Sequence, residues 1–187
     1  MSELLQLWLP ILATAALIFI ASNLIHMVFK WHNADYKKLA NEDDVRAVIR
    51  AASPSPGQYV LPHCADMKDM QGDAMQKKFV EGPVAFMTVR ESGPPTMGMA
   101  LSLWFVYCVV IATAAGALAL HVYGLNANAN ANRAGHLVGV VSFLAFVGGS
   151  VQMGIWMGKP WGSVVKDALD GLIYASISAL TFMWLWP

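Results

Sequence analysis

The stretch GSVVKDALDGLIYASISALTFMWLWP (162–187) decides how the chain is read. From Gly171 onward it is apolar enough to cross a bilayer, yet Asp167 and Asp170 stand at its entrance. Asp167, Asp170, Tyr174, Ser178 and Thr181 follow one another at intervals of three, four, four and three, so a helix lines them along one side. With Trp184 and Trp186 in an aromatic belt at the far end, Asp170 falls about one turn inside the opposite boundary. A carboxylate at that depth is costly unless it faces the interior of a bundle and finds a partner.

Partners are available because the rest of the chain is built the same way. Its 187 residues are 57% hydrophobic and only 13% charged, with mean hydropathy +0.49, more apolar surface than one soluble core of that size can bury. A hydrocarbon layer about 30 Å thick needs roughly twenty apolar residues in a helix. Four stretches meet that length: Leu4 to Phe29, Gly98 to Tyr123, Gly135 to Met157 and Val164 to Trp186. The first is expected to be an uncleaved span, since it lacks a basic start, carries Glu3 and outruns a signal peptide. The expected architecture is an all-α membrane protein, a bundle of four transmembrane helices with a small cytoplasmic α/β insert between the first and second. Its parts are 1–30, the insert 31–97, 98–123, an outer loop 124–134, 135–157, a turn 158–163 and 164–187.

Lys and Arg set the orientation. Nine of the twelve lie from Lys30 to Arg90, Lys159 and Lys166 flank the last turn, and only Arg133 lies on the other side. Both termini and the GLNANANANRAG loop are therefore expected outside, with the insert in the cytoplasm. The Asn/Ala repeat reads as a low-complexity link that does not pack. Within the insert, NEDDVRAVIRAA predicts a helix capped by Asn41, with acids in its first turn and Val45, Val48 and Ile49 on one face. QYVLP and PVAFMTV predict a β hairpin, and ADMKDMQGDAMQKKF a short helix weakened by Gly72.

Depth counting then groups side chains. Asn23 and His26 lie within about two turns of Lys30, and Gln152 and Trp156 within about two turns of Lys159. Asn23, His26, Gln152 and Asp170 are expected to meet in one buried polar cluster, with Tyr107 as a fifth member and Lys166 and Asp167 at its mouth. The alternative is local: Asp170 pairs with Lys166 one turn earlier, and Asn23 and His26 serve as interhelical glue. Trp156 and Trp161 bracket Lys159 as an interface anchor, or as a wall for an anionic headgroup.

Other constellations are weaker. His63, Cys64, Met67, Met70 and Met75 offer soft ligands suited to copper, but the methionines also fit the apolar stripe of a short helix. His121 and His136 end one span and begin the next, where two imidazoles can hold haem or simply sit among headgroups. Neither set has a diagnostic spacing, so no cofactor or metal is assigned. Equal numbers of acidic and basic residues, twelve each, and no basic aromatic run exclude nucleic acid. The lone cysteines Cys64 and Cys108 do not make a disulfide framework. Ala112, Gly116 and Ala119 form a small face for a tight helix contact, within the chain or with another membrane protein or a second copy.

The combination KWHNADYKKL, EDDV, PGQYVLP, GPVAFMTV, GKPW and DGLIYA, closing on FMWLWP, resembles a family of four-helix bacterial inner-membrane proteins with no known activity. The resemblance spans nearly the whole chain and implies the helix count but no substrate. Without a nucleophile elbow, Walker loop or glycine fingerprint, an enzyme is not the expectation. The expected role is an accessory, assembly or scaffold subunit; the rivals are a proton or small-molecule carrier using His26 and Asp170, and a membrane-embedded haem or metal protein or enzyme.

Overall fold

The computed structural model describes residues 2–66 and 68–187 and divides into two compact units. One comprises the chain up to Tyr36 and from Thr96 to Pro187, the other Lys37–Pro95. The first unit is helical: α1 (Ser2–Leu5), α2 (Trp8–Asn23), α5 (Met97–Tyr123), α6 (Ala127–Met157) and α7 (Trp161–Leu185). Four helices, Trp8–Phe29, Met97–Tyr123, Ala129–Met157 and Trp161–Leu185, are long and apolar enough to cross a membrane. Their outward flanks are apolar too, with Ile20, Val106, Leu144 and Leu180 all more than half exposed.

Inside, small residues set the spacing. The Ala112, Gly116 and Ala119 face is buried within the chain, where the Phe182 ring and Leu7 lie against Gly116. On α6, Gly135 and Gly139 repeat at an interval of four against Ala175 and Ala179 of α7, letting the two backbones approach closely. Each helix buries one stripe, as Ile11, Ala15, Ile18 and Ile25 do on α2 and its extension. The polar stripe of α7 also turns inward, with Asp170, Tyr174, Ser178 and Thr181 buried.

Two boundaries differ from the sequence reading. Pro10 has no N–H to give the carbonyl of Gln6, so the first helix breaks, and tight turns at Gln6 and Leu7 separate α1 from α2. The Asn/Ala repeat is a helix and not a loop: Ala favours helix, Asn126 caps α6 by accepting from the Ala129 N–H at 3.2 Å, and the Asn130 side chain donates to the Tyr123 carbonyl at 2.7 Å. α6 therefore starts eight residues before Gly135.

The second unit holds α3 (Glu42–Ala51), α4 (Asp73–Glu81) and an antiparallel pair, β1 (Gly57–Leu61) with β2 (Ala85–Val89), in register from Gly57 opposite Val89 to Leu61 opposite Ala85. The helix following Asn41, the strand pair and the break at Gly72 fall where the sequence places them, but the Asn41 side chain makes no capping hydrogen bond and the strands are joined through α4 rather than by a tight turn; a short 3-10 turn precedes Gly72. Val45 and Ile49 of the expected apolar face are half-buried, whereas Val48 is exposed.

The last turns of the first span decide the site. Beyond Asn23 the helix widens to a π-helix, Leu24–Phe29, closed by Lys30 N–H donating to the Ile25 carbonyl at 3.0 Å. Lys30 then adopts a left-handed conformation (φ +54°), and a 3-10 turn, Trp31–Asp35, folds back beside α7. A non-glycine residue held there costs roughly 1 kcal/mol. Lys30→Gly is expected to raise the unfolding free energy by up to about 1 kcal/mol, and Lys30→Val to lower it, because a β-branched residue tolerates positive φ worst; thermal unfolding followed by circular dichroism in detergent measures both.

Candidate functional site

The 3-10 turn delivers His32 and Asp35 to the first half of α7. His32 Nε2 stands 2.8 Å from Asp170 Oδ2, and its Nδ1 stands 3.0 Å from Asp35 Oδ2. His26 Nε2, from the π-helix, approaches the same Asp170 oxygen at 3.6 Å. The two imidazole rings lie 4.8 Å apart, centre to centre, tilted by 33°. The extra residue of the wide turn and the reversal at Lys30 thus bring both imidazoles to one buried carboxylate.

Asp35 is fixed in turn by Lys166, whose Nζ donates to its Oδ1 at 2.6 Å and to the Trp31 carbonyl at 2.9 Å. That ammonium, with smaller help from His32, holds the Asp35 carboxyl below the usual carboxylate range against the opposing push of burial. Asp35 is therefore ionised at neutral pH and able to accept from His32 Nδ1–H. Both nitrogens of His32 face carboxylate oxygens. A doubly protonated ring satisfies both, as does a ring whose Nε2 accepts from a protonated Asp170 carboxyl or meets a cation.

Asp170 is 4% exposed, and its Oδ1 has no partner among the described residues. An acceptor so placed is unfavourable by several kcal/mol in an apolar surround. The same holds, more mildly, for the Tyr174 hydroxyl one turn further along, also buried and without a partner among the described residues. Among the described residues, one group of three His, Cys, Asp or Glu side chains gathers its ligand atoms closely: His26, His32 and Asp170, no pair more than 4.8 Å apart.

Beside this triad, Lys159 donates to Asp167 and, at 3.2 Å, to Ser150 Oγ, while Ser150 donates to Asp167. The geometry follows from the end of α6: Gly158 turns left-handed (φ +70°), Lys159 N–H caps the helix on the Met153 carbonyl at 3.1 Å, and Pro160 starts α7. Two cavities flank this ion pair. One, about 320 Å³, reaches Asp170, Tyr174 and Trp104; the other, about 450 Å³, is lined by His32, Asp35 and Ser163. His26, Met153, Lys159 and Asp167 border both.

The residues singled out from sequence separate accordingly. His26 and Asp170 come together, and Tyr107 lies on the cavity they line, donating to the Ala145 carbonyl at 3.1 Å. Asn23 and Gln152 do not join them: the Asn23 amide donates to the Phe19 carbonyl of its own helix at 2.7 Å, and Gln152 points to the exposed flank of α6. Equal depth did not mean equal facing. Lys166 engages Asp35 in place of Asp170, so the local pair one turn apart does not form. Lys159 turns inward to Asp167 and Ser150, leaving Trp156 and Trp161 exposed around it.

Of the soft-ligand set, Cys64 Sγ donates to the Asp66 carbonyl at 2.9 Å, His63 and Met70 are exposed to differing degrees in the second unit, and Met67 lies outside the described residues. His121 and His136 are exposed, and His136 Nδ1–H donates to the Asn132 carbonyl at 2.8 Å. His32, Asp35 and Ser150 were not anticipated. The signal for the first two was His-x-x-Asp directly after a span, read as the start of the insert because it is polar. Compared with protein-family models, curated proteins and solved structures, the chain matches none.

Proposed function

We propose that this is a multi-pass protein of a bacterial inner membrane, with both termini outside and residues 31–97 in the cytoplasm, that binds a divalent transition-metal ion through His26, His32 and Asp170 at the cytoplasmic end of its bundle. One observation carries the reading: two imidazole nitrogens converge on a buried carboxylate whose second oxygen has no partner among the described residues. The pattern of a ligating histidine backed by a carboxylate supports it, since Asp35 sits behind His32 and is itself held by Lys166. Two histidines and one carboxylate suit zinc or ferrous iron and leave an open coordination position. Tetrahedral ligands about 2.0–2.1 Å from zinc stand about 3.4 Å from one another, within the spread of separations seen here. Eleven of twelve basic residues on one side support the orientation.

A second reading has its own observation. His32 bridges two carboxylates, which suits an imidazolium that holds a proton for release into the bundle. A role as accessory subunit draws less support, because the small-residue face is used within the chain.

Isothermal titration of purified protein with Zn²⁺ separates these readings. The expected result is about one ion per chain, released protons that make the heat depend on the buffer, and loss of binding in His32→Ala with the helical circular dichroism unchanged. Undiminished binding by His32→Ala would exclude the site and leave the proton reading.

A further inference from the structure

We propose that the cavity beside Asp170 binds an amphiphile with an oxyanion head, a carboxylate or a phosphate, entering from the lipid; this deepens the metal reading, which supplies one of the head's contacts. The cavity, about 320 Å³, has an apolar wall made by Trp104 and Phe146, which pack against each other with ring centres 5.8 Å apart and planes tilted by 58°. Trp104 is fixed from behind, its indole N–H donating to Ser22 Oγ at 2.8 Å, so this wall is rigid. Two partly exposed residues, Tyr107 of α5 and Met153 of α6, border the cavity on the flank that otherwise meets lipid, giving it a lateral mouth.

Its polar end is built for an acceptor. The Tyr174 hydroxyl is buried and has no partner among the described residues, which leaves it to donate. Lys159 spends two of its three N–H groups on Asp167 and Ser150 and retains one. His26 and Asp170, two of the three residues that would hold a metal ion, line the same cavity, so an ion there would supply a further contact for an oxyanion. Charge decides between a neutral and an anionic head: Lys159 offsets Asp167, and a divalent ion exceeds Asp170 by one positive charge, so the loaded site favours an anion. Apolar walls at one end and convergent donors at the other define an amphiphile rather than a free inorganic ion. A hydrogen bond to a charged group is typically worth about 1.5–3 kcal/mol, so losing the Tyr174 contact should weaken binding about tenfold or more.

The test uses the full chain in phosphatidylcholine nanodiscs, with brominated lipids quenching tryptophan fluorescence. Trp104 is isolated from the six other tryptophans by subtracting the Trp104→Phe variant. Dibrominated stearate and dibrominated phosphatidate are the two anionic probes, and brominated phosphatidylcholine is the neutral control. Expected is saturable quenching of Trp104 by one anionic probe, tightened by Zn²⁺ and weakened about tenfold by Tyr174→Phe, with little from the control. Stearate alone would assign a carboxylate, phosphatidate alone a phosphate. Equal quenching by all three probes, unchanged in Tyr174→Phe, would overturn the proposal by making the cavity an ordinary lipid contact. If that occurs while Zn²⁺ still binds, the metal reading survives alone; if anionic quenching depends on Tyr174 but not on Zn²⁺, the cavity survives and its link to the metal does not.

Discussion

Asp170→Asn is expected to lower the affinity for Zn²⁺ by more than about a hundredfold while leaving the bundle folded. The amide fills the same volume at a position only 4% exposed, so packing is kept. What disappears is the anionic oxygen on which His32 and His26 converge at 2.8 and 3.6 Å. Losing the carboxylate behind a ligating histidine already lowers metal affinity about 10–100-fold; losing a ligand itself should exceed that. Asp35→Asn provides the graded comparison, since it leaves all three ligands in place and weakens only the support of His32. The order expected from titration is wild type, then Asp35→Asn, then Asp170→Asn. A structural ion pair gives a different pattern. Removing one partner of a buried pair strands the others and costs about 3–5 kcal/mol, so Asp170→Asn would then unfold the protein early in a thermal scan, with metal affinity unaffected wherever it remains folded.

The second large effect lies between α6 and α7. A Cβ at Gly135 would stand 2.6 Å from the backbone carbonyl oxygen of Ala179 and collide with Met183, and one at Gly139 would meet the Ala179 methyl at 3.0 Å. A side chain can swing aside, but a backbone carbonyl moves only if the helices part. Gly135→Ala is therefore expected to destabilise by about 1–3 kcal/mol, the usual cost of overpacking, and Gly135→Val by more. Gly149→Ala, on the same helix with nothing within 4 Å, is the control; it should be neutral or stabilising by about 0.5–1 kcal/mol, because alanine favours helix over glycine. Thermal unfolding of the three variants in one detergent reads the difference. Equal midpoints for Gly135→Ala and Gly149→Ala would mean that α6 and α7 are not packed this closely.

The two cases show what a sequence can and cannot carry. Span number and length are one-dimensional properties, read from runs of apolar residues, and the four long helices follow those runs. The inward stripe of α7 was legible for the same reason, since a fixed helical period converts spacing into facing. Facing on one helix says nothing of its neighbour, which is why Gln152, at the right depth, points away while His26 does not. His32 and Asp35 escaped because their placement depends on a widened turn and a left-handed lysine, neither of which leaves a periodic trace. The Asn/Ala repeat misled in the opposite way. Its polar composition suggested a link, but alanine propensity and asparagine capping make a helix of it.

The widened turn from Leu24 to Phe29 has a consequence for how the chain can change over time. Relative to an unbroken α-helix it contains a surplus residue, and losing any one of those six would restore regular winding and a more favourable ladder of backbone bonds. The same loss would swing everything that follows by roughly 100° about the helix axis, carrying His32 away from Asp170. A single-residue deletion here would therefore leave a regular span whose imidazole and carboxylate no longer meet.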